Sequence, residues 1–203
     1  MNFFSVPPES LETFRFYFPM GWEHIISLNA LDHLAFLAAL GASFLFPDWR
    51  RVLVVVTAFT VGHSLTLALS VYKILLVNES WVEWLIPITI ILTAAQQWNK
   101  SGSSSKSVWL LYLSAIFFGF IHGMGFANNI RFMLVEEQSL GWGLMGFNLG
   151  LEAGQLIFII LFLLLSQAAV QFLSIKKENW TRSVVVITFG IALYILFKGA
   201  GLF

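Results

Sequence analysis

The chain has 203 residues, 58% of them hydrophobic and only 11% charged, with a formal net charge of zero. A mean hydropathy of +0.82 and a charged share well under the roughly 25% of an ordinary soluble domain exclude that class. The balanced charge gives no electrostatic case for a nucleic-acid partner, and the absence of Cys removes disulfides, thiolate ligands and cysteine nucleophiles together.

In chain order, the N-terminal stretch to Glu23 carries Glu9, Glu12 and Arg15. It lacks the basic start and apolar core of a cleavable signal peptide. Six apolar runs follow, near Ile25–Phe46, Val52–Tyr72, Trp81–Gln97, Val108–Ala127, Gly143–Val170 and Ser183–Leu202. Each has the ~17–25 residues that a tilted helix needs to cross a bilayer, the fifth being longer. The connections at Pro47–Arg51, Lys73–Ser80, Trp98–Ser107, Asn128–Trp142 and Ser174–Arg182 are too short for a second domain. The expected fold is therefore all-α: a polytopic integral membrane protein, one domain over residues 1–203, with about six transmembrane helices. Trp22, Trp49, Trp81, Trp98, Trp109, Trp142 and Trp180 fall near span ends, as interfacial anchors do.

The first, third and fifth loops hold seven basic residues, Arg50, Arg51, Lys100, Lys106, Lys176, Lys177 and Arg182. The other side holds four, Arg15, Lys73, Arg131 and Lys198. By the positive-inside rule both termini lie outside.

The rare ionisable groups inside the spans carry the functional signal. A charge at the bilayer centre costs ~2.5–3.5 kcal/mol on insertion scales, so such groups are functional candidates by default. Asp32 and His33 share the first span, His63 is in the second, His122 in the fourth and Glu152 in the fifth. At ~1.5 Å per residue they occupy a slab between the midplane and the outer interface. In the fifth span Asn148, Glu152 and Gln155 fall at i, i+4 and i+7, on one helix face. His122 stands among Gly119, Gly123 and Gly125, which let a neighbouring backbone approach. His24 sits at the outer interface. In the third span Pro87 frees the carbonyl of Glu83.

Four ordered stretches resemble the HupE/UreJ family of bacterial membrane proteins. They are Gly21-Trp-Glu-His24 running to Leu31-Asp-His-Leu-Ala-Phe36, Thr57-Ala-Phe-Thr-Val-Gly-His63-Ser-Leu-Thr66, Phe118-Gly-Phe-Ile-His122-Gly-Met-Gly-Phe-Ala127 and Phe147-Asn-Leu-Gly-Leu-Glu152-Ala-Gly-Gln155. The resemblance implies a multi-pass protein of the cytoplasmic membrane, associated with hydrogenase and urease accessory functions and regarded as a nickel or cobalt permease. In the third span Thr89 and Gln96 or Gln97 stand where the family has Ser and Asn, so a polar group is kept at each place.

The chemistry of the donors agrees with a divalent transition metal. Imidazole suits zinc, copper, iron and nickel, and carboxylates compensate the charge. The candidate metal ligands are His33, His63, His122, Asp32, Glu152, His24, Asn148 and Gln155, and the expected partners are the lipid bilayer and the metal ion. Two function classes fit: a permease that takes the ion up from outside, and a membrane-integral metalloenzyme with a carboxylate base and an open metal position. A sensor or assembly partner is a third. Phe59-Thr-Val-Gly62 and Phe147-Asn-Leu-Gly150 are alike and lie on spans of opposite direction, as in the 3+3 inverted repeat of transporters.

Overall fold

The computed structural model describes residues 8–27, 30–75, 78–98, 105–134 and 139–199. Parts of the loops expected at 73–80, 98–107 and 128–142, and the last residues of the sixth span, lie outside the described residues. Among the described residues seven α-helices follow one another: α1 (Pro8–Ile26), α2 (Leu31–Gly41), α3 (Trp49–Val71), α4 (Glu79–Trp98), α5 (Ser105–Leu134), α6 (Leu140–Gln171) and α7 (Lys177–Gly199). A short 3-10 turn, Phe46–Asp48, precedes α3, and among the described residues there is no strand.

By length and composition, four described helices can cross a membrane, at Phe46–Val71, Trp109–Ala127, Leu140–Gln171 and Lys177–Gly199. Their outer surfaces carry exposed Val61, Leu65, Phe117, Leu161, Leu165 and Ile187, an apolar coat that a soluble fold would bury. The chain is a membrane protein.

Where a single first span at 25–46 is expected, there are two helices. Helix α1 begins upstream at Pro8, and α1 and α2 meet at 66°; together they make a fifth candidate crossing. Helix α1 escapes a hydropathy reading because Glu9, Glu12, Arg15 and Glu23 are exposed, while Ser10, Tyr17, Gly21 and Ile25 form a buried stripe at helical spacing. The expected span at 81–97 forms as α4 but is not among the apolar four. Its Thr89, Thr93 and Gln97 are buried against protein. Thr93 donates to the Thr89 carbonyl at 2.8 Å, and Gln97 accepts from Ser43 at 2.7 Å and donates to the Leu40 carbonyl at 3.2 Å. A helix whose polar side chains are satisfied inside a bundle does not need lipid-grade composition.

Two close seams organise the bundle. Along α3 and α5, Phe59 meets Gly119, His63 meets Gly123, and Ser70 donates to the Ala127 carbonyl at 3.2 Å, so the two helices run in the same direction. Along α1 and α6, Phe14 meets Gly146, Phe18 meets Gly150 and Trp22 meets Gly154, again in the same direction. Helix α4 runs against α5, with Ile86 at Gly125 and Gln96 at Ser114. Helix α7 reaches the end of α2 through Thr181, which donates to the Ala42 carbonyl at 3.0 Å.

Candidate metal centre

The break after α1 builds the centre. His24 closes α1 and His33 opens α2. In an unbroken helix, nine residues would hold them about 13 Å apart along the axis. Across the bend their ring centroids are 4.9 Å apart. The α3–α5 seam adds the other two histidines: the His63 ring centroid is 6.0 Å from His24 and 5.9 Å from His33, and His122 is 5.2 Å from His33. One donor atom each from His24, His33 and His63 fall within 4.8 Å of one another, and the same holds for Asp32, His33 and His122. His33 belongs to both groups.

Two hydrogen bonds orient the imidazoles. Asp32 Oδ1 accepts from the His33 backbone N–H at 2.9 Å and lies 3.0 Å from His33 Nδ1. A carboxylate only accepts, so Nδ1 carries the proton and Nε2 presents its lone pair. At His122, Nε2 lies 3.0 Å from the Thr89 hydroxyl, whose own proton goes to the Ile86 carbonyl at 2.7 Å. Nε2 therefore donates, and Nδ1 is left as the free acceptor. Among the described residues, the buried imidazole nitrogens without a hydrogen-bond partner are His24 Nε2, His33 Nε2, both nitrogens of His63 and His122 Nδ1. His33, His63 and His122 are 4%, 0% and 1% exposed. Buried polar atoms left unpaired cost free energy that a bound cation would recover.

Aromatic rings wall the centre. Phe36 and Phe59 each stand 5.3 Å from His122, and Phe126 stands 4.3 Å from His24, stacked in turn on Phe147. Asp32 forms part of a cavity of roughly 570 Å³ between α2, α4 and α7, lined also by Glu83, Ile86, Tyr194 and Lys198.

Of the other expected ligands, Glu152 belongs to neither of these groups of close donor atoms, and all three have hydrogen bonds of their own. Glu152 Oε1 accepts from Thr57 at 2.8 Å, and Gln155 Oε1 accepts from Thr60 at 2.7 Å. Asn148 donates to the Leu144 carbonyl of its own helix at 2.8 Å. Helix α6 starts at Leu140, so Glu152 lies about 18 Å along it, against about 13.5 Å from the expected start at Gly143. From sequence alone His24 falls at an interface, because the break after it has no signature there. Thr57 carries no role in the sequence and Thr89 none beyond a kept polar group; the signal for Thr89 is a hydroxyl two residues after Pro87, and for His24 a Gly-x-x-His repeated at Gly119–His122.

Thr89→Val should leave the fold intact and weaken nickel or cobalt binding by ~10–100-fold, the range typical for losing a group that orients a metal-bound imidazole. Equilibrium dialysis of the purified variant checks this, with wild-type affinity as the contrary result.

Comparison with curated proteins and with solved structures found no match. The sequence profile described as HupE / UreJ protein matches residues 3–199. Nearly the whole chain is covered, and the protein belongs to the HupE/UreJ family.

Proposed function

We propose that this protein is a permease for a divalent transition metal ion, nickel or cobalt first and zinc or iron next, in the bacterial cytoplasmic membrane with both termini outside. The observation that carries this reading is the unpaired set of imidazole nitrogens on His24, His33, His63 and His122, in two groups that share His33, one of which includes Asp32, a carboxylate that also lines an open cavity. Four neutral nitrogen donors suit a borderline cation better than calcium or magnesium, which want more oxygen. A single carboxylate leaves a dication incompletely neutralised, which favours release.

On the charge count given above, the cavity beside Asp32 faces outside and is the vestibule through which the ion arrives, with α4 as a sixth crossing. The two seams support an inverted repeat. A Cβ on Gly62 would overlap the Ile116 carbonyl, and one on Gly150 would overlap the Phe18 carbonyl; one on Gly119 would overlap Phe59, and one on Gly21 would overlap Phe147. A single shift of 98 residues carries Ile116 to Phe18 and Gly119 to Gly21, and a shift of 88 carries Phe59 to Phe147 and Gly62 to Gly150. The first shift also carries His122 onto His24. On this reading the centre holds one histidine from each of two equivalent helix turns, where transporters with inverted repeats bind their substrates.

The test is uptake of radiolabelled nickel or cobalt into proteoliposomes. Wild-type protein should accumulate the ion, and His63→Ala should reduce uptake to the level of empty vesicles. A metal that stays with the wild-type protein through chelation, with no uptake, would instead favour the metalloenzyme.

A further inference from the structure

We propose that the ion leaves the histidine centre through a second polar station, made by Thr57 and Thr60 of α3 with Glu152 and Gln155 of α6, on the opposite side of His63 from the vestibule. The proposal rests on the permease reading and assigns Glu152 to transit, apart from the resting site.

Placement comes first. The vestibule lies where α4 begins and α7 ends, at Glu83 and Lys198. Its deepest charged group is Asp32, in the first turn of α2. Helix α4 begins on the side where α3 ends, since one short connection joins them. Thr57 lies the other way: it precedes His63 by six residues, or ~9 Å of helix rise, toward the start of α3. Glu83 likewise precedes Thr89, the partner of His122, by six residues. The histidine centre is thus flanked by a carboxylate station on each side, each about a turn and a half away.

The spacing on α3 makes the path continuous. Thr57, Thr60 and His63 fall at i, i+3 and i+6, each about 60° round the helix from the last, so Thr60 stands between Thr57 and His63. Opposite them α6 supplies Glu152 and Gln155, also three apart, bonded to Thr57 and Thr60. Thr60 and Gln155 are 6% and 0% exposed, and the Gln155 Nε2 is buried without a partner. This pair closes the path directly beyond His63. One step farther on, Thr57 is exposed and Glu152 is half-buried, beside exposed Val54 and Val61, so the station reaches the outer surface of the bundle there. The arrangement is open at the vestibule and shut at the Thr60–Gln155 pair, as a one-sided state of alternating access requires.

The donor chemistry fits hand-over. The centre offers imidazole nitrogens, whereas the station offers only oxygen: two hydroxyls, an amide carbonyl and a carboxylate. Nickel and cobalt prefer the nitrogen site, so the oxygen station accepts the ion without trapping it. The negative charge of Glu152 is what draws a dication off the cluster. A role limited to joining helices would not need that charge, since a Gln at this place would accept the same bond from Thr57.

That difference is the test. Glu152→Gln should bind nickel within about two-fold of wild type in detergent, while uptake into proteoliposomes falls by about tenfold or more; His33→Ala should lose both. Uptake of Glu152→Gln within two-fold of wild type overturns the proposal. So does a loss of binding equal to that of His33→Ala, which would make Glu152 a ligand of the resting site. If wild-type protein neither binds nor carries nickel or cobalt, the permease reading fails, and the second station is judged without metal. The chain has no Cys, so Tyr194→Cys and Thr57→Cys can each be probed alone with a membrane-impermeant thiol reagent. They should react from opposite faces of the membrane. Reaction from the same face, or none at position 57, overturns the proposal.

Discussion

His33→Ala should remove nickel or cobalt binding more completely than any other single histidine substitution, with an affinity loss of about 100-fold or more, beyond the range for an orienting group. His33 is the one side chain shared by the His24/His63 group and the Asp32/His122 group. Its removal takes one donor from each and leaves Asp32 without the imidazole it orients at 3.0 Å. His24→Ala and His122→Ala each spare one group and should bind more weakly than wild type but measurably. Titration calorimetry of the four alanine variants checks the order. Equal losses for all four would mean one undivided shell, and a His33→Ala variant that binds like His24→Ala would remove the shared-donor argument.

The general architecture was legible because the strongest physical constraint on the chain is also the plainest in sequence. An apolar run long enough for a bilayer must be helical, since no water satisfies its backbone. The three buried histidines and Asp32 were legible for the complementary reason, that ionisable groups inside such runs are too costly to be accidental. What hydropathy could not show was any element stabilised by protein contact. Helix α1 carries four charged residues that face away from a buried stripe, so its apolar character is confined to one side. Helix α4 hides Thr89, Thr93 and Gln97 against neighbours. The placement of His24 depended on the bend between α1 and α2, a tertiary feature with no period of its own. Glu152 illustrates the converse limit. Helical spacing correctly put it on a face with Gln155, yet periodicity gives direction around an axis and says little about which of two polar patches on a facing helix it meets. Thr57 and Thr60 are the partners found.

Gly21→Ala and Gly119→Ala should each destabilise the protein severely, by about 3 kcal/mol or more, at or beyond the upper end of ordinary overpacking. The added Cβ overlaps backbone, the Phe147 carbonyl in one case and the Phe59 carbonyl in the other. A backbone atom has no alternative rotamer, so the helices must separate along the whole seam. Both glycines lie one turn before a candidate ligand, Gly21 before His24 and Gly119 before His122, so whatever folded protein survives should bind metal poorly. Gly141→Ala and Gly190→Ala are the controls, because nothing lies within 4 Å of a Cβ at either place. In a helix, Ala is favoured over Gly by up to about 1 kcal/mol, so these variants should be as stable as wild type or slightly more so. Thermal unfolding in detergent, followed by circular dichroism and by the monodisperse fraction on gel filtration, distinguishes the two pairs. Similar losses at Gly21 and Gly119 are expected because the two seams repeat one contact pattern. A Gly21→Ala variant that melts with the Gly190→Ala control would mean that α1 and α6 do not approach this closely, and the equivalence of His24 and His122 would lose its structural basis.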